Sequence, residues 1–417
     1  MKTLGAIAWR PGAPWTIEEV EIGDPGAGEV LVEWAAAGLC HSDEHFRSGD
    51  RVPPSLEAEL FPMLGGHEGA GIVIEAGPGV TTLAPGDHVV ASFAPTCGQC
   101  RYCASGRGNL CGANKDFMVR GQLADGSVKH TVNGRPLYLM AKLGTFAERT
   151  VVSDRSLVKI GPDVPLPAAC LVSCGVATGF GSATERAGTR PGDVVAVVGL
   201  GGLGAAAVQG ARLAGARAII AVDPFELRRS MALKLGATHA AAAICEAAGV
   251  IADLTDGQGA DRVILTPSVV TGEIIHDGLA ITGKGAVCVV TGMGPAGESP
   301  VPLDIGAFAL YAKELRGCLY GAYDPRLAPE YLLSLYASGL LDIDAMITTY
   351  GLPDIGRALD DTMNGRNVRA VLTMPAPMSE RRGAVAAGLS VATEGRGSAA
   401  GEGAASQGAP KRAGGTA

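Results

Sequence analysis

The stretch VVAVVGLGGLGAAAVQGARLAGARAIIAVD, residues 194–223, decides the fold of this chain. It contains the pattern G-x-G-x-x-G at Gly199, Gly201 and Gly204. A hydrophobic run precedes the pattern, a helical run follows it, and Asp223 ends the next hydrophobic run. Glycines at these positions allow a tight turn and let the backbone approach a pyrophosphate at the N-terminus of the helix. The carboxylate of Asp223 would bind the adenosine ribose hydroxyls and repel a 2′-phosphate, so the stretch predicts a site for NAD.

Strands and helices continue to alternate beyond this stretch. The hydrophobic runs RVILTP (262–267) and AVCVVTG (286–292) are separated by a helical run. Alternation at this spacing predicts a parallel sheet covered by helices on both faces. Arg228 follows Asp223 by five residues and could flank the same ribose, the alternative being an exposed helical arginine.

The first ~170 residues have a different texture. Short runs such as EVLVEWAAAG (29–38) and GAGIVIEAG (69–77) are separated by turn signals, which predicts an antiparallel, barrel-like domain. A helical run (328–339) and a strand (369–375) follow the parallel sheet. Residues 376–417 are rich in Gly and Ala and lack aromatic residues, so we expect this tail to be disordered.

Composition excludes several classes of protein. Of the 417 residues 47% are hydrophobic, which is enough for folded cores, and the net charge of −8 gives no basic surface for nucleic acid or anionic membranes. The N-terminus lacks the apolar core of a signal peptide, and no run reaches the ~18 apolar residues of a membrane helix. These features predict a cytoplasmic protein.

Four cysteines crowd into CGQCRYCASGRGNLC, residues 97–111. Their spacing is C-x2-C-x2-C-x7-C, and four thiolates with no open position form a structural zinc site that folds the loop. Disulfides are disfavoured in a reducing compartment, and the bacterial iron–sulfur run has a last gap of three followed by proline. We therefore predict structural zinc, with the ligands Cys97, Cys100, Cys103 and Cys111.

Three further segments carry possible ligands: GLCHSDEHF around Cys40, LGGHEGAG around His67 and LVSCGVATGFGSA around Cys174. Taken singly, a buried cysteine is usually a small hydrophobe, and a lone histidine is more often a hydrogen-bonded polar group. Taken together they would give a Cys2His set with a free fourth position, the ligand set known for catalytic zinc in alcohol dehydrogenase.

The motifs GLCHSD, GHEGAG, the four-cysteine loop and GLGGLG occur in the order and approximate spacing of one family. Over nearly all of residues 1–375 the chain resembles the zinc-dependent medium-chain alcohol dehydrogenases. Within that family it is most similar to the actinobacterial nicotinoprotein (NDMA-dependent) enzymes, which hold NAD tightly and pass electrons to an external acceptor.

This resemblance implies an α/β fold. A GroES-like β-barrel-type catalytic domain would comprise residues 1–172 and 323–375, and a Rossmann doubly wound parallel sheet would comprise residues 173–322. It also implies a homodimer or homotetramer, with the run ELRGCLYGA (314–322) as an edge that pairs across a two-fold axis.

The resemblance further implies roles for the residues of the metal site. Cys40, His67 and Cys174 would bind catalytic zinc, in addition to the structural ion. Glu68 would lie behind the metal and assist ligand exchange, and Asp43 would hydrogen-bond a ring nitrogen of His67.

A proton relay is implied next to these ligands. Ser42 would accept the proton of the bound alcohol and His45 would carry it towards solvent, the alternative being that HSDEH is a polar surface turn.

Contacts to NAD and substrate are implied as well. Thr178 and Leu203 would pack on the nicotinamide ring, Gly202 belongs to the glycine-rich loop, and Arg369 would contact the pyrophosphate. His41 stands where some relatives have an arginine for the same phosphate, and Phe93 matches a wall of the substrate pocket. The remaining cysteines, Cys170, Cys245, Cys288 and Cys318, are predicted to be core residues.

The predicted reaction is oxidation of an alcohol to an aldehyde, or its reverse, with NAD. An alternative is a thiol-dependent formaldehyde dehydrogenase or S-nitrosothiol reductase, motivated by the hairpin-bearing insert at 112–145. Its cations, which could face an anionic adduct, are Lys115, Arg120, Lys129, Arg135 and Lys142. A non-catalytic protein that kept the fold would have lost ligands, and none of the proposed ligands is missing.

Overall fold

A computed structural model describes residues 1–375 apart from 51, 53, 115–120, 122, 124, 125, 295, 296, 298 and 299. The predicted disordered tail, 376–417, lies outside the described residues. Residues 1–375 form one unit, so the predicted boundaries of the two domains within it stay predictions.

Strands are the main regular elements in the first half of the chain and alternate with helices in the second. The strands are Lys2–Ala8 (β1), Thr16–Ile22 (β2), Glu29–Leu39 (β3), Met63–Leu64 (β4), Ala70–Ala76 (β5), His88–Ala91 (β6), His130–Val132 (β7), Arg135–Pro136 (β8), Tyr138–Leu139 (β9), Arg149–Ser153 (β10), Leu157–Ile160 (β11), Val194–Val198 (β12), Ala218–Val222 (β13), His239–Ala241 (β14), Ala260–Leu265 (β15), Thr282–Val290 (β16), Glu314–Gly317 (β17), Ile347–Gly351 (β18) and Arg369–Thr373 (β19).

The α-helices are His41–Ser48 (α1), Arg101–Ala104 (α2), Leu166–Ala169 (α3), Gly175–Gly181 (α4), Gly202–Leu213 (α5), Glu226–Lys234 (α6), Ile244–Thr255 (α7), Gly272–Ile281 (α8), Ile305–Leu310 (α9), Ala328–Ala337 (α10) and Ile355–Met363 (α11). Short 3₁₀ segments lie at Pro54–Glu59, Gly108–Leu110, Gly112–Asn114, Met140–Lys142, Asp154–Ser156, Cys170–Ser173, Tyr320–Ala322, Asp344–Met346 and Leu352–Asp354, and a π-helical turn at Ser182–Arg186.

The predicted parallel sheet is confirmed. Its strand order is β14-β13-β12-β15-β16-β17, and every pair in it is parallel. Strand β12 is central and completely buried, because its residues are all Val or Ala and helices cover both faces. The chain leaves β12 for β13 on one side and later returns to β15 on the other, which opens a crevice beyond the carboxyl end of β12, where α/β proteins bind ligands.

The first half forms two mainly antiparallel sheets, in the orders β8-β7-β2-β1-β4-β9 and β11-β6-β5-β3-β19-β18, with β10 also paired to β3. The long strand β3 is the centre of the second sheet, and Trp34 on it is buried with its indole N–H donated to Thr150 Oγ1 at 2.8 Å. Strand β19 returns from the C-terminal end and pairs with β3 in antiparallel register. This return brings Arg369 close to the residues that follow β3.

Helix α4 connects the two halves and packs on α5. A Cβ atom at Gly179 would overlap the carbonyl oxygen of Leu203, so only glycine allows the two helices to approach this closely. The same packing places the N-terminus of α4 beside the crevice of the parallel sheet.

The predicted edge strand is confirmed only in part. Strand β17 lies at the edge of the parallel sheet but ends at Gly317. Beyond it Tyr320, Gly321 and Ala322 have φ values of 55°, 64° and 64°, left-handed conformations that cannot continue a strand.

No single helix among the described residues is long and apolar enough to cross a membrane. The segments Leu166–Ser173 and Gly175–Arg186 have the length and apolar composition of a membrane span only when they are taken together. The chain bends by 56° between them. The cytoplasmic location stays a prediction.

Candidate active site

Four side chains from distant parts of the sequence converge between the halves. Cys40 follows β3, His67 and Glu68 precede β5, and Cys174 precedes α4. One donor atom of each residue lies within 4.8 Å of the others, and all four are buried. Two thiols and an imidazole form a donor set suited to zinc, with a carboxylate adjacent, so the residues fit the predicted metal.

The thiols of this cluster interact directly. A hydrogen bond with Cys174 is the main reason why the pKa of Cys40 lies well below its ordinary value, against the opposing effect of burial. Cys40 is thus favoured as the thiolate, the form in which cysteine binds a metal.

The orientation of His67 is fixed by Asp43. His67 Nδ1 lies 3.0 Å from Asp43 Oδ1, and Asp43 Oδ2 accepts the backbone N–H of Cys40 at 2.8 Å. The Asp43 carboxylate thus orients one possible ligand and the backbone of another. Because Nδ1 is engaged, Nε2 is the ring nitrogen left to bind a metal.

Glu68 is held behind the cluster by Arg369, whose Nη2 is paired with Glu68 Oε2. Glu68 Oε1 accepts the backbone N–H of Gly175 at 3.1 Å, and a Cβ atom at Gly38 would overlap the carboxylate. Burial raises the pKa of Glu68 to about 7, although Arg369 opposes the shift.

The four-cysteine loop forms a second cluster. One donor atom of each of Cys97, Cys100, Cys103 and Cys111 lies within 4.8 Å of the others, and none of them is in a disulfide. Backbone N–H groups point at the sulfurs: Cys100 donates to Cys97 Sγ at 3.3 Å, and Ala113 to Cys111 Sγ at 3.4 Å. Backbone hydrogen bonds lower the pKa of Cys100 to about 6, which favours a thiolate. The residues fit a closed tetrahedral zinc site.

A cavity of about 470 Å³ lies between the halves and reaches the first cluster at Cys40. The predicted residues that line it are Cys40, His41, Ser42, His45, Gly199, Gly201, Gly202, Leu203, Asp223, Arg228 and Arg369. Gly201 is extended and precedes α5, and a Cβ atom built on it would enter open space. The N-terminus of α5 therefore presents free backbone to the cavity, as an anion site requires.

Asp223 is oriented by backbone amides. Its Oδ2 accepts the N–H of Leu200 at 2.8 Å, and its Oδ1 accepts that of Phe225 at 2.9 Å. Arg369 Nε and Thr178 Oγ1 are buried polar atoms without a hydrogen-bond partner in the described protein. Such unpaired atoms, beside the glycine-rich loop and the side-chain cluster of Cys40, His67, Glu68 and Cys174, are consistent with a bound dinucleotide.

The predicted relay residues lie on α1 or at its start. Cys40 Sγ lies 3.5 Å from Ser42 Oγ. The ring of His45 is buried, with Nε2 3.0 Å from the carbonyl oxygen of Ser268 and Nδ1 3.5 Å from the exposed carboxylate of Asp50. The alternative of a polar surface turn is wrong, because the segment is a helix whose Asp43 and His45 are buried.

Phe93, the predicted wall of the substrate pocket, lies next to His67 of the proposed catalytic zinc site. The ring of Phe93 is 5.8 Å from that of His67, edge to face. Tyr320, whose aromatic contact nothing in the sequence indicated, packs against Phe93 with ring centroids 5.2 Å apart. Its buried hydroxyl has no hydrogen-bond partner in the described protein.

The alternative of an exposed helical arginine at position 228 is wrong, because Arg228 is 8% exposed and its Nη2 donates to the carbonyl oxygen of Thr362 at 2.6 Å. One expectation was wrong. Cys245 is exposed rather than part of the core, because it lies in the first turn of α7 on the solvent side. Cys170 and Cys288 are buried as predicted, and Cys318 is partly buried.

Two of the insert's described cations have neighbours elsewhere in the protein. Lys115 and Arg120 lie outside the described part of the chain. Lys129 is 3.5 Å from Glu29, and Arg135 lies over the ring of Trp9.

Comparison with known proteins agrees with this geometry. The family model described as "Alcohol dehydrogenase GroES-like domain" matches residues 26–163, and the one described as "Zinc-binding dehydrogenase" matches residues 202–338. Alcohol dehydrogenase B of Mycobacterium tuberculosis is 46% identical over 89% of this chain and 98% of its own length. The NDMA-dependent alcohol dehydrogenase of Amycolatopsis methanolica is 44% identical over 89% of this chain and 99% of its own. The crystal structure of benzyl alcohol dehydrogenase from Acinetobacter calcoaceticus superposes with a TM-score of 0.82 at 28% identity, covering 90% of this chain and all of that one.

Proposed function

This chain belongs to the zinc-dependent alcohol dehydrogenases of the medium-chain family, and from that premise we propose that it oxidises alcohols to aldehydes with NAD that stays bound between turnovers. It is an enzyme that acts on small alcohols or aldehydes, and its cofactors are zinc and NAD. The proposal adds the residues that perform each step, the retention of NAD and an external electron acceptor.

Cys40, His67 and Cys174 are proposed to hold the catalytic zinc, with Glu68 behind it. When bound, zinc would supply a Lewis acid that lowers the pKa of an alcohol, and NAD would supply the hydride acceptor. The single observation that carries this proposal is the convergence of the three donor atoms at the end of the cavity that Asp223 lines.

The chain's own residues would position the reactants and move the proton. Ser42 would accept the hydroxyl proton, and His45 would pass it on; the exposed Asp50, 3.5 Å from His45 Nδ1, lies on the solvent side of that path. Thr178 and Leu203 would pack against the nicotinamide ring. Arg369 and the loop of Gly199, Gly201, Gly202 and Gly204 would hold the pyrophosphate, and Asp223, flanked by Arg228, the adenosine ribose.

We propose an aromatic or otherwise apolar alcohol as substrate. Phe93 and Tyr320 pack against each other beside His67 and would give the pocket an aromatic wall. The likeness to a benzyl alcohol dehydrogenase supports the same substrate class.

The experiment is to denature the purified protein and measure zinc and NAD(H) per chain, then to assay benzyl alcohol oxidation with a nitroso dye as acceptor and no added NAD. We expect two zinc ions and close to one NAD(H) per chain, and dye reduction that depends on the alcohol. Cys174→Ser should lose turnover and retain the fold, whereas the exposed Cys245→Ser serves as control. Normal turnover in Cys174→Ser would contradict the assignment of the metal site, and a wild-type protein without bound NAD(H) would contradict cofactor retention.

The thiol-dependent alternative is separated by a second assay. Formaldehyde oxidation is measured with and without a low-molecular-weight thiol. A rate that requires the thiol would replace the proposed substrate class, whereas equal rates would leave alcohol oxidation in place.

We also propose that two copies of the chain pair through the β17 edge. Next to this edge α9 has no buried residue, and Ile305 and Leu310 are 73% and 85% exposed. Apolar side chains this exposed beside an unpaired strand edge favour a two-fold interface. Light scattering should give a dimer or tetramer, and Leu310→Lys should reduce the mass to that of a smaller species; a monomeric wild type would contradict the proposal.

A further inference from the structure

Phe225 and Gly365 are in close contact beside the dinucleotide cavity, which Phe225 lines. Phe225 lies between β13 and α6, next to the parallel sheet, whereas Gly365 follows α11, next to the sheet that contains β19. A Cβ atom at Gly365 would overlap the ring of Phe225, and Gly365 has a φ of +67°. Both the close approach and the left-handed backbone therefore require glycine.

Arg228, about one helical turn after Phe225, also connects α6 to the segment around Gly365. Its Nη2 donates to the carbonyl oxygen of Thr362 at 2.6 Å, and its Nε to that of Asn367 at 3.4 Å. The guanidinium also lies 5.1 Å from the centre of the Phe225 ring. Hydrogen bonds from a charged donor are stronger than neutral ones, and here they bridge the two sides of the cavity.

The segment that receives these contacts is held by its own side chains. Thr362 Oγ1 donates to Asn367 Oδ1 at 3.1 Å, and Asn367 Nδ2 donates to the hydroxyl of Tyr350 at 3.1 Å. That hydroxyl donates to Asp361 Oδ2 at 2.9 Å. Since the segment is fixed in this way, it would move away from α6 as a unit, and the contacts of Phe225 and Arg228 would break together.

We infer that Phe225, Arg228 and residues 362–367 form a clasp over the adenosine side of the cavity, and that opening of this clasp limits the release of NAD(H). The inference rests on the proposed function, in which NAD stays bound between turnovers. It gives a physical reason for that retention. Phe225, Arg228 and Thr362 all line the cavity, whereas Gly365 does not. Gly365 can therefore be changed without removing a group that faces the cofactor.

The test compares Gly365→Ala with Gly339→Ala. Gly339 has a φ of +71° and open space around a built Cβ atom. Its substitution by alanine therefore introduces the same backbone strain without a clash with a neighbouring side chain. Each protein is loaded with NADH, mixed with excess NAD, and followed by the loss of bound-NADH fluorescence. We expect release to be about tenfold faster in Gly365→Ala and to change by less than about twofold in Gly339→Ala, because contact changes act mainly on dissociation rates.

A second pair of variants covers the case in which Gly365→Ala does not fold. Phe225→Ala removes the ring, whereas Leu227→Ala, on the exposed side of α6, serves as its control. Equal release rates within both pairs would overturn the clasp. Rapid NADH exchange in the wild type, with Gly365→Ala still about tenfold faster, would contradict cofactor retention but support the clasp.

Discussion

His67 Nδ1 lies 3.0 Å from Asp43 Oδ1, and neither side chain has more than 4% of its surface exposed. The other carboxylate oxygen of Asp43 accepts the backbone N–H of Cys40. One carboxylate thus orients a cysteine that follows β3 and an imidazole that precedes β5. We therefore propose that Asp43 supports the proposed metal site and is not itself a ligand.

Asp43→Asn should weaken zinc binding at the catalytic site. The amide keeps the shape of the side chain but loses the charge, so we expect zinc affinity to fall by about 10–100-fold. Chelator competition, followed by zinc content, measures the change. Glu44→Gln removes a charge from the same helix, where Glu44 pairs with Arg47, and serves as control. Equal zinc retention in the two variants would contradict the role of Asp43.

Cys103→Ser should remove one zinc ion and unfold the four-cysteine loop. Because zinc cross-links that loop, we expect the free energy of unfolding to fall by about 4 kcal/mol or more. Elemental analysis should give one zinc per chain in Cys103→Ser and two in Cys245→Ser, whose thiol is exposed and outside both clusters. Two zinc ions in Cys103→Ser would refute the site.

Arg369→Met should leave the carboxylate of Glu68 buried without its counter-charge. Loss of one member of a buried ion pair costs about 3–5 kcal/mol, whereas replacing both members can be close to neutral. The double variant Glu68→Gln/Arg369→Met should therefore be more stable than Arg369→Met alone. Urea unfolding of the wild type, both single variants and the double variant measures the coupling; strictly additive effects would show that the pair is not coupled.

His130 should make the protein less stable in acid. Burial lowers the pKa of His130 to about 3, and its Nε2 accepts the backbone N–H of Val151 at 3.2 Å. The unfolded chain binds a proton below pH ~6.5 that the folded protein excludes, so stability is complete above that pH and falls as the pH drops towards 3.

Between pH 7.5 and pH 5 this linkage lowers the free energy of unfolding by about 2 kcal/mol. His130→Gln should lose that share of the pH dependence in urea titrations at the two pH values, whereas His276→Gln, at an exposed position, should retain it. An unchanged pH dependence in His130→Gln would contradict the assignment.

Some interactions could not be predicted because nothing near them in the sequence requires them. Glu68 and Arg369 are 301 residues apart, and the pair exists because β19 returns to β3. The sequence left Arg228 open between a ribose contact and an exposed helical position, because helix periodicity does not show which segment will cover a helix face. The contact of Phe225 with Gly365 depends on the same return of the chain.

The sequence by itself determined the parallel sheet, the glycine-rich turn and the four-cysteine loop. Each of these depends on residues a few positions apart, whose chemistry restricts the local backbone and its ligand. The sequence grouped Cys40, His67 and Cys174 only through a family resemblance, and the tertiary structure brings their donor atoms within 4.8 Å of one another. Tertiary structure alone decided that Arg369 pairs with Glu68 and that Phe225, next to α6, contacts Gly365. The physical reason is that these contacts join segments far apart in the chain, and only the packing of the two halves brings such segments together.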